Sequence, residues 1–502
     1  MSMPFKKDPP EFDQRIVFPS SIFDLLPNDH RCFVYEDIFN QFDTSSVEQN
    51  YSKPGQNAYH PGLVTGILIY AYSQGIFSSR EIEKKCHEDI GFMFISHLNC
   101  PNFRVLSDFR KDNYEFFKKC FKQSVALAIG AGMVSLGHIS LDGSKFKADT
   151  SKHKAMSYGR LRTKEKELTE EIEKLTAMAE KCDKEEDAEY RDKTGYELPE
   201  ELKIKEKRLA KIGKAKEALE KREQELNPGV KIEDKKLISF ADKEARIMGK
   251  KGDFDYSYNG QISVDEDNQI IVGEHLTQNA NDKKEVGRAI NEIKVTTGGL
   301  PEKMSLDNGY MSGDNLEALD DEEVDVYIAT GKGEKKDQRA IDESNRKIKK
   351  SDFIYDEDED IFICPAGCKI GLKRESNDGK KVYMGNKAEC DACSYKARCC
   401  SSKKGEPRTI SSDDKEPLRQ KMNEKMEQES SKEIYKKRKK IVEPVFGQIK
   451  NKGFRGFSLR GYKKASGEFS LMCAVHNLKK IVKAVFDGKV CLESGRLAPM
   501  TA

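Results

Sequence analysis

The chain has 502 residues, too many for one small core, and implies two to four domains or large insertions. Charged residues make up 35% and hydrophobic residues 37%, so much of it must be solvated helix or loop, and no apolar run is long enough to cross a bilayer. The net charge of +2 says nothing about partners on average, but acids gather at Asp356–Asp360 and bases gather towards the C-terminus. The N-terminal MSMPFKKDPPEFDQ lacks the apolar segment of a signal peptide, so the expectation is a soluble cytoplasmic protein whose 13 cysteines remain thiols unless they cluster.

Residues 1–130 read as a compact helical domain. His60-Pro61 precedes the apolar run Leu63–Tyr72, and Ser78-Ser79 opens a segment with Ile82, Ile90, Phe92 and Phe94 at helical spacing. NFRVLSDFR, from Asn102, sets Arg104, Arg110 and Lys111 around Val105 and Leu106. Such helices suit either a helix-turn-helix-like DNA reader or an accessory domain with ordinary surface arginines.

HISLD, His138–Asp142, predicts a short apolar strand ending in an acid. A carboxylate there is costly unless it is paired, hydrogen-bonded or bound to metal. Residues 155–235 then turn rich in Glu, Lys, Ala and Leu. Leu168, Ile172 and Leu175, and Leu209, Ile212, Ala215 and Leu219, form two helical stripes with a break near Thr194-Gly195 and Pro199. This predicts an inserted helical hairpin, packed as an antiparallel coiled coil and serving as an arm or an oligomerisation element.

Tyr256–Val264 and Gln269–Leu276, joined by Asp265–Asn268, predict a β-hairpin. A helix over 283–293 follows, then a strand ending in Asp307, a turn at Asn308-Gly309-Tyr310, a helix, and a fifth strand at Val324–Ile328. Residues 331–415 are polar and turn-rich, with little core, and carry Cys364, Cys368, Cys390, Cys393, Cys399 and Cys400. Cys364, Cys390, Cys393 and Cys399 suit a Cys₄ zinc site, with Cys368 or Cys400 as alternates; the other reading is free thiols on loops. His275, His476 and Cys473 read as core residues.

In Tyr435–Lys450, YKKRKKIVEPVFGQIK, Glu443 follows an almost unbroken basic run. On one continuous helix Lys439, Phe446, Gly447 and Lys450 return to its face at about 100° per residue. The segment suits a metal-binding acid among phosphate-binding cations, or a solvated helix with one ion pair. Leu471–Val485 closes the chain as an apolar helix, with 486–502 as a tail. In order, the elements place Asp142 and Asp307 on strand ends and Glu443 on a helix, where a mixed sheet could gather them around hard divalent cations. Taken singly, a strand-end Asp commonly caps a turn.

These pieces together resemble the DDE transposases of bacterial insertion sequences. YHPGLVTGILIYAYSQGIFSSREIE and NFRVLSDFR resemble that family's N-terminal domain, ISLDGSKFKADTSKHKAMSYGR its first-aspartate region and YNGQISVDEDNQIIVGEHLTQNANDK the hairpin that follows. SLDNGY resembles the second-aspartate region, and VEPVFGQIKNKGFRGFSLRG with AVHNLKK the glutamate region and tail. The resemblance covers nearly the whole chain. It implies an α/β fold with a ribonuclease-H-like mixed-sheet catalytic domain over 131–485, behind a DNA-binding domain at 1–130 and carrying the hairpin and Cys-rich insertions. It implies Asp142, Asp307 and Glu443 as ligands of Mg²⁺ or Mn²⁺; structural Zn²⁺ at the cysteines is a separate expectation that rests on their spacing.

The implied reaction is cleavage at terminal inverted repeats and joining of the 3′-hydroxyl to target DNA, by a homodimer associated with the nucleoid. Lys450, Arg438, Lys439, Arg455, Arg460, Arg104 and Arg110 would contact DNA, with Lys463 and Lys464 nearby and Phe454 and Phe457 packing or stacking. Lys450 stands seven residues after Glu443, matching the family. Tyr435 and Arg438 lie one residue further from Glu443 than the family flank, where this chain has Lys436 and Lys439. Competing readings are a relative that only binds DNA and a nuclease of the same fold that never joins.

Overall fold

The computed structural model describes residues 21–51, 58–150, 155–187, 200–250, 253–322, 324–330, 347–376, 379–402, 405–493 and 496–500. The chain forms two compact units, Met1–Ala131 with Ala474–Ala502, and Gly132–Cys473. The first unit is helical. Its helix Pro61–Ser73, buried almost throughout, is surrounded by aromatic pairs such as Tyr35–Tyr70 and Tyr70–Phe92. The segment of helical spacing after Ser78 forms two helices, Ser79–Glu88 and Ile90–Ile95, because Asp89 turns the chain and caps the second through the Gly91 and Phe92 amides. Residues expected as a tail contribute a hairpin, Val490–Glu493 with Arg496–Pro499.

The second unit is built on strands β1 (His138–Lys147), β2 (Ala155–Ser157), β3 (Leu237–Ser239), β4 (Arg246–Lys250), β5 (Asp253–Asp265), β6 (Ile271–Thr277), β7 (Lys303–Leu306) and β8 (Asp325–Ile328). The main sheet runs β4-β5-β1-β7-β8, with β6 also on β5. β5 is antiparallel to β1, β4 and β6, whereas β1, β7 and β8 are parallel. This is the ribonuclease-H-like mixed sheet that the sequence predicts, with β4 as an added edge segment.

β1 does not stop at Asp142. It continues to Lys147 because β5 is long enough to pair with it from Ile139↔Asp265 to Lys147↔Ser257. The extension carries Phe146 into a cluster with Phe446, Phe454, Phe457 and Phe469. Phe454 and Phe457 are therefore buried core, not platforms for bases. A Cβ on Gly260 would lie 2.7 Å from Phe469 Cζ, so this position of β5 must be glycine for the ring to seat.

The inserted hairpin comprises helices Tyr158–Asp187 and Glu200–Leu226, and its expected break lies outside the described residues. Ion pairs Lys216–Glu165 (2.6 Å) and Lys205–Glu171 (3.2 Å) descend one helix as they climb the other, which fixes an antiparallel arrangement. Leu161, Leu168, Ile212, Ala215 and Leu219 pack with Ile238 of the small β2–β3 sheet, which roots the hairpin.

The Cys-rich segment has more structure than its composition suggests. Strands β9 (Ile354–Asp356), β10 (Ile361–Ile363), β11 (Lys369–Glu375), β12 (Lys381–Met384) and β13 (Thr409–Ser412) form an antiparallel sheet. Phe353, Phe362, Ile370, Tyr383 and Ile410 give it a core of its own. Short strands with few apolar residues conceal this, since each supplies only one or two to the buried face.

Replacing Phe146 by Ala should cost about 3–5 kcal/mol, read as a fall in urea-unfolding midpoint; an unchanged midpoint would show that the aromatic cluster does not hold the sheet to the C-terminal helices.

Candidate active site

Parallel pairing of β1 with β7 runs from His138↔Lys303 to Leu141↔Leu306. One further step in that register sets Asp142 level with Asp307, so two carboxylates leave neighbouring parallel strands at the same height. Asp142 accepts from the Gly143 amide (2.8 Å), and Asp307 from the Asn308 amide (2.7 Å) at the start of the 3₁₀ turn Asn308–Tyr310. Asn308 Nδ2 reaches the Ala329 carbonyl beyond β8 (2.7 Å), tying the turn to the next strand.

The third acid comes from a helix that is not continuous. Helix Glu429–Ile441 ends, Val442 intervenes, and Glu443–Asn451 begins again. Pro444 is the cause: it has no amide for the Lys440 carbonyl, its ring crowds that position, and it disfavours helical geometry at Glu443. The carbonyl left over on Lys440 accepts from Gln269 Nε2 (2.7 Å). Arg438, not Lys439, comes to Glu443.

Arg438 is buried, and its Nη2 lies 2.8 Å from Asp142 Oδ2 while Nη1 lies 3.3 Å from Glu443 Oε1. One guanidinium thus joins the strand acid to the helix acid. Burial pushes the Asp142 carboxyl up to about 6; Arg438 and the Gly143 amide oppose the rise, and the charges of Asp307 and Asp282 add to it. Asp307 and Glu443 are exposed, so the cluster opens to solvent. Lys450 is half-buried over the Phe146 ring, and its Nζ donates to Ser144 Oγ (2.5 Å) and the Lys145 carbonyl (3.3 Å). Burial lowers the Lys450 and Lys145 ammonium groups, whereas nearby Asp142 favours their charge.

Among the described residues, no group of three or more His, Cys, Asp or Glu side chains is set closely enough to grip a metal ion as it stands. The donor set around Asp142 is nonetheless all carboxylate oxygen, which is the chemistry of a hard divalent cation. Here the positive charge in its midst is Arg438.

Residues 363–482 match the family model for the transposase DDE domain, and residues 20–112 match that for a transposase domain (DUF772). The chain therefore carries a transposase DDE domain and a second transposase domain. No curated protein and no solved structure matches it. Among its described residues, no helix of the transposase is long and apolar enough to cross a membrane.

The transposase exposes Lys439, Arg455, Arg460 and Arg104, although Arg460 is paired with Asp149 at 2.7 Å. Arg110, expected to face DNA, is buried instead: its guanidinium donates to Tyr72 Oη (2.8 Å), the Phe77 carbonyl (3.1 Å) and Ser79 Oγ (2.6 Å). It locks the helices of the N-terminal unit together. Arg438, also expected at phosphates, is likewise turned inward to the carboxylates. A basic residue inside an amphipathic helix reads as surface in sequence, and only packing reveals which ones face in.

Cys364, Cys368, Cys390, Cys393, Cys399 and Cys400 line one pocket, beside Phe353 and Ile370. The Cys368 amide donates to Cys364 Sγ (3.3 Å) and the Tyr395 amide to Cys393 Sγ (3.4 Å). Burial pushes the Cys399 thiol up to about 11, and among the described residues no cysteine is in a disulfide.

Asp282, whose charge also reaches Asp142, is not marked out in the sequence. It sits in a polar turn with no periodic signal; the only hint was the QNAND run ahead of a helix.

Because the folded carboxyl of Asp142 sits above its ordinary value of 3.8, its protonated form stabilises the fold, fully below about pH 4 and less as pH rises through about 6. Metal-free Asp142→Asn should therefore be more stable than the parent at pH 7, by up to roughly 3 kcal/mol, and no more stable at pH 4. Urea titrations at both pH values check the sign.

Proposed function

We propose that this transposase cleaves DNA at the terminal inverted repeats of its mobile element and joins the freed 3′-hydroxyl to target DNA, with Asp142, Asp307 and Glu443 holding two Mg²⁺ or Mn²⁺ ions. The β1–β7 register carries this reading, because it puts Asp142 and Asp307 side by side at the open end of a parallel pair. The match to the transposase DDE domain supports it. Such ions lower the pKa of an attacking hydroxyl and stabilise the leaving oxygen when bound.

The protein's own groups have separable tasks. Arg438 neutralises the crowded carboxylates and keeps Glu443 beside Asp142 before any ion enters. Lys450 is anchored by Ser144 two residues beyond Asp142, where its ammonium can meet a phosphate. Lys439, Arg455, Arg460 and Arg104 bind phosphates of double-stranded DNA, at terminal repeats and target alike. The protein works in the cytoplasm on nucleoid DNA, as a homodimer, since two ends must be handled together.

A labelled terminal-repeat end with a supercoiled target tests this directly. Wild type should cut and join, whereas Asp142→Asn, Asp307→Asn and Glu443→Gln should each bind DNA but lose strand cleavage by at least about 10³-fold. Normal cleavage by all three variants would sink the assignment. Binding without cutting by wild type would mark a DNA-binding relative, and cutting without joining would mark a nuclease.

The same reading includes a structural Zn²⁺ on the cysteine pocket, with Cys364, Cys390, Cys393 and Cys399 as ligands and Cys368 or Cys400 as alternates. The donor chemistry fits, since several thiols border one small cavity and two of the sulfurs already accept backbone amides, as thiolate ligands do. Protein purified without chelator should carry about one equivalent of zinc per chain. Less than half an equivalent by elemental analysis would leave the cysteines as plain thiols.

A further inference from the structure

We propose that the cavity between the root of the helical hairpin and the edge of the main sheet binds a backbone phosphate of DNA, with Arg246 and Lys235 as its ligands. The inference rests on the reading of the chain as a transposase acting on DNA, and adds to it a contact at a separate site.

β5 is longer than either strand on its outer edge. β6 pairs with it as far as Asn259↔Thr277, and β4 takes over from Arg246↔Ser257. The chain leaves that edge at Gln278 where β4 arrives, and Gln278 Nε2 donates across the junction to the Glu244 carbonyl (2.5 Å). The hairpin's second helix and the segment after it border this junction, and a cavity of about 500 Å³ lies between them. Its walls carry Arg222, Lys235, Lys236 and Arg246 against Glu223 and Glu225, four cations to two acids. Leu226 and Ile247, also in the walls, are exposed, so a polymer can approach as well as a small ion.

Pairing divides the cations. Glu223 is buried and shared by Arg222 (2.9 Å) and Lys236 (3.0 Å), and Arg222 also donates to the Leu237 carbonyl (3.3 Å). These contacts build the wall. Arg246 is half-buried and forms no ion pair among the described residues. Its Nη1 donates to the carbonyls of Lys243 (3.2 Å), Glu244 (2.6 Å) and Ala245 (3.4 Å), which leaves Nη2 and Nε for a ligand. Lys235 is exposed and is likewise unpaired among the described residues. Burial lowers the Arg246 guanidinium to about 10 and the charge of Arg222 acts in the same sense, whereas Glu244 and Glu223 favour its charge. A half-buried cation near another cation, with no carboxylate of its own, is costly unless an anion joins it. The uncommitted edge of a guanidinium matches phosphate oxygens, and a lysine beside it adds a point charge. The competing role for Arg246 is to hold the turn before β4, which needs Nη1 alone.

Fluorescence anisotropy of a labelled terminal-repeat duplex with the metal-free full-length protein, over roughly 50–200 mM salt, tests this. Arg246→Gln should weaken binding about tenfold and reduce the slope of log affinity against log salt by about 0.9. Lys235→Gln alters an exposed side chain and should weaken binding about threefold; it decides the matter should Arg246→Gln lose the wild-type urea midpoint. Lys211→Gln, exposed on the same helix but outside the cavity, controls for general charge and should bind like wild type. Wild-type affinity and slope in both cavity variants, or an equal loss in the control, overturns this proposal and leaves the transposase reading standing. Inorganic phosphate that raises the urea midpoint of wild type but not of Arg246→Gln, with duplex binding unchanged, overturns it in favour of a small phosphate ligand. Absence of duplex binding by wild type overturns both.

Discussion

Crowded negative charge is the constraint around which the larger unit is arranged. Parallel strands in register bring Asp142 and Asp307 to one level, and Asp282 adds a third charge close by. Such a cluster is unfavourable in a folded protein unless a cation offsets it. Arg438 is that cation in this structure, and its reach to both Asp142 and Glu443 depends on where its helix stops. On the proposed function, a divalent cation bound there would relieve repulsion that folding has to tolerate.

The helix break at Val442 links local backbone chemistry to that site. A straight helix would have aligned Lys439 with Glu443 and turned Arg438 elsewhere. Pro444 interrupts the ladder, Gln269 from the β5–β6 turn takes up the Lys440 carbonyl, and the two half-helices settle with Arg438 inward. The second half-helix then packs Phe446 against Phe146 on the extension of β1. Strand extension, aromatic cluster and helix break are one mechanical unit, because each fixes the position of the next.

The insertions are elaborations with their own cores. The helical hairpin packs on the β2–β3 sheet, and the cysteine segment carries a five-stranded sheet with its own aromatic core. Neither contributes a carboxylate to the cluster at Asp142. Both therefore leave the main sheet's geometry intact.

Sequence alone determined the order of elements, the mixed-sheet class and the hairpin insertion, because alternation, helical spacing and turn residues are local signals. It also singled out Asp142, Asp307 and Glu443 by their places in that order. Tertiary structure decided what local signals cannot encode. The register of β1 against β7 set which acids are neighbours, and the length of β5 carried β1 past Asp142. Burial turned Arg110 and Arg438 inward, although both look like surface cations in a helical pattern. Asp282 comes near Gly143 only through the pairing of β5 with β1, because its hydrogen-bond partner Gln261 lies opposite Gly143. Pro444 acts only on its neighbours, through its ring and missing amide, yet the segment reads as one continuous helix in sequence and only the structure shows the break at Val442.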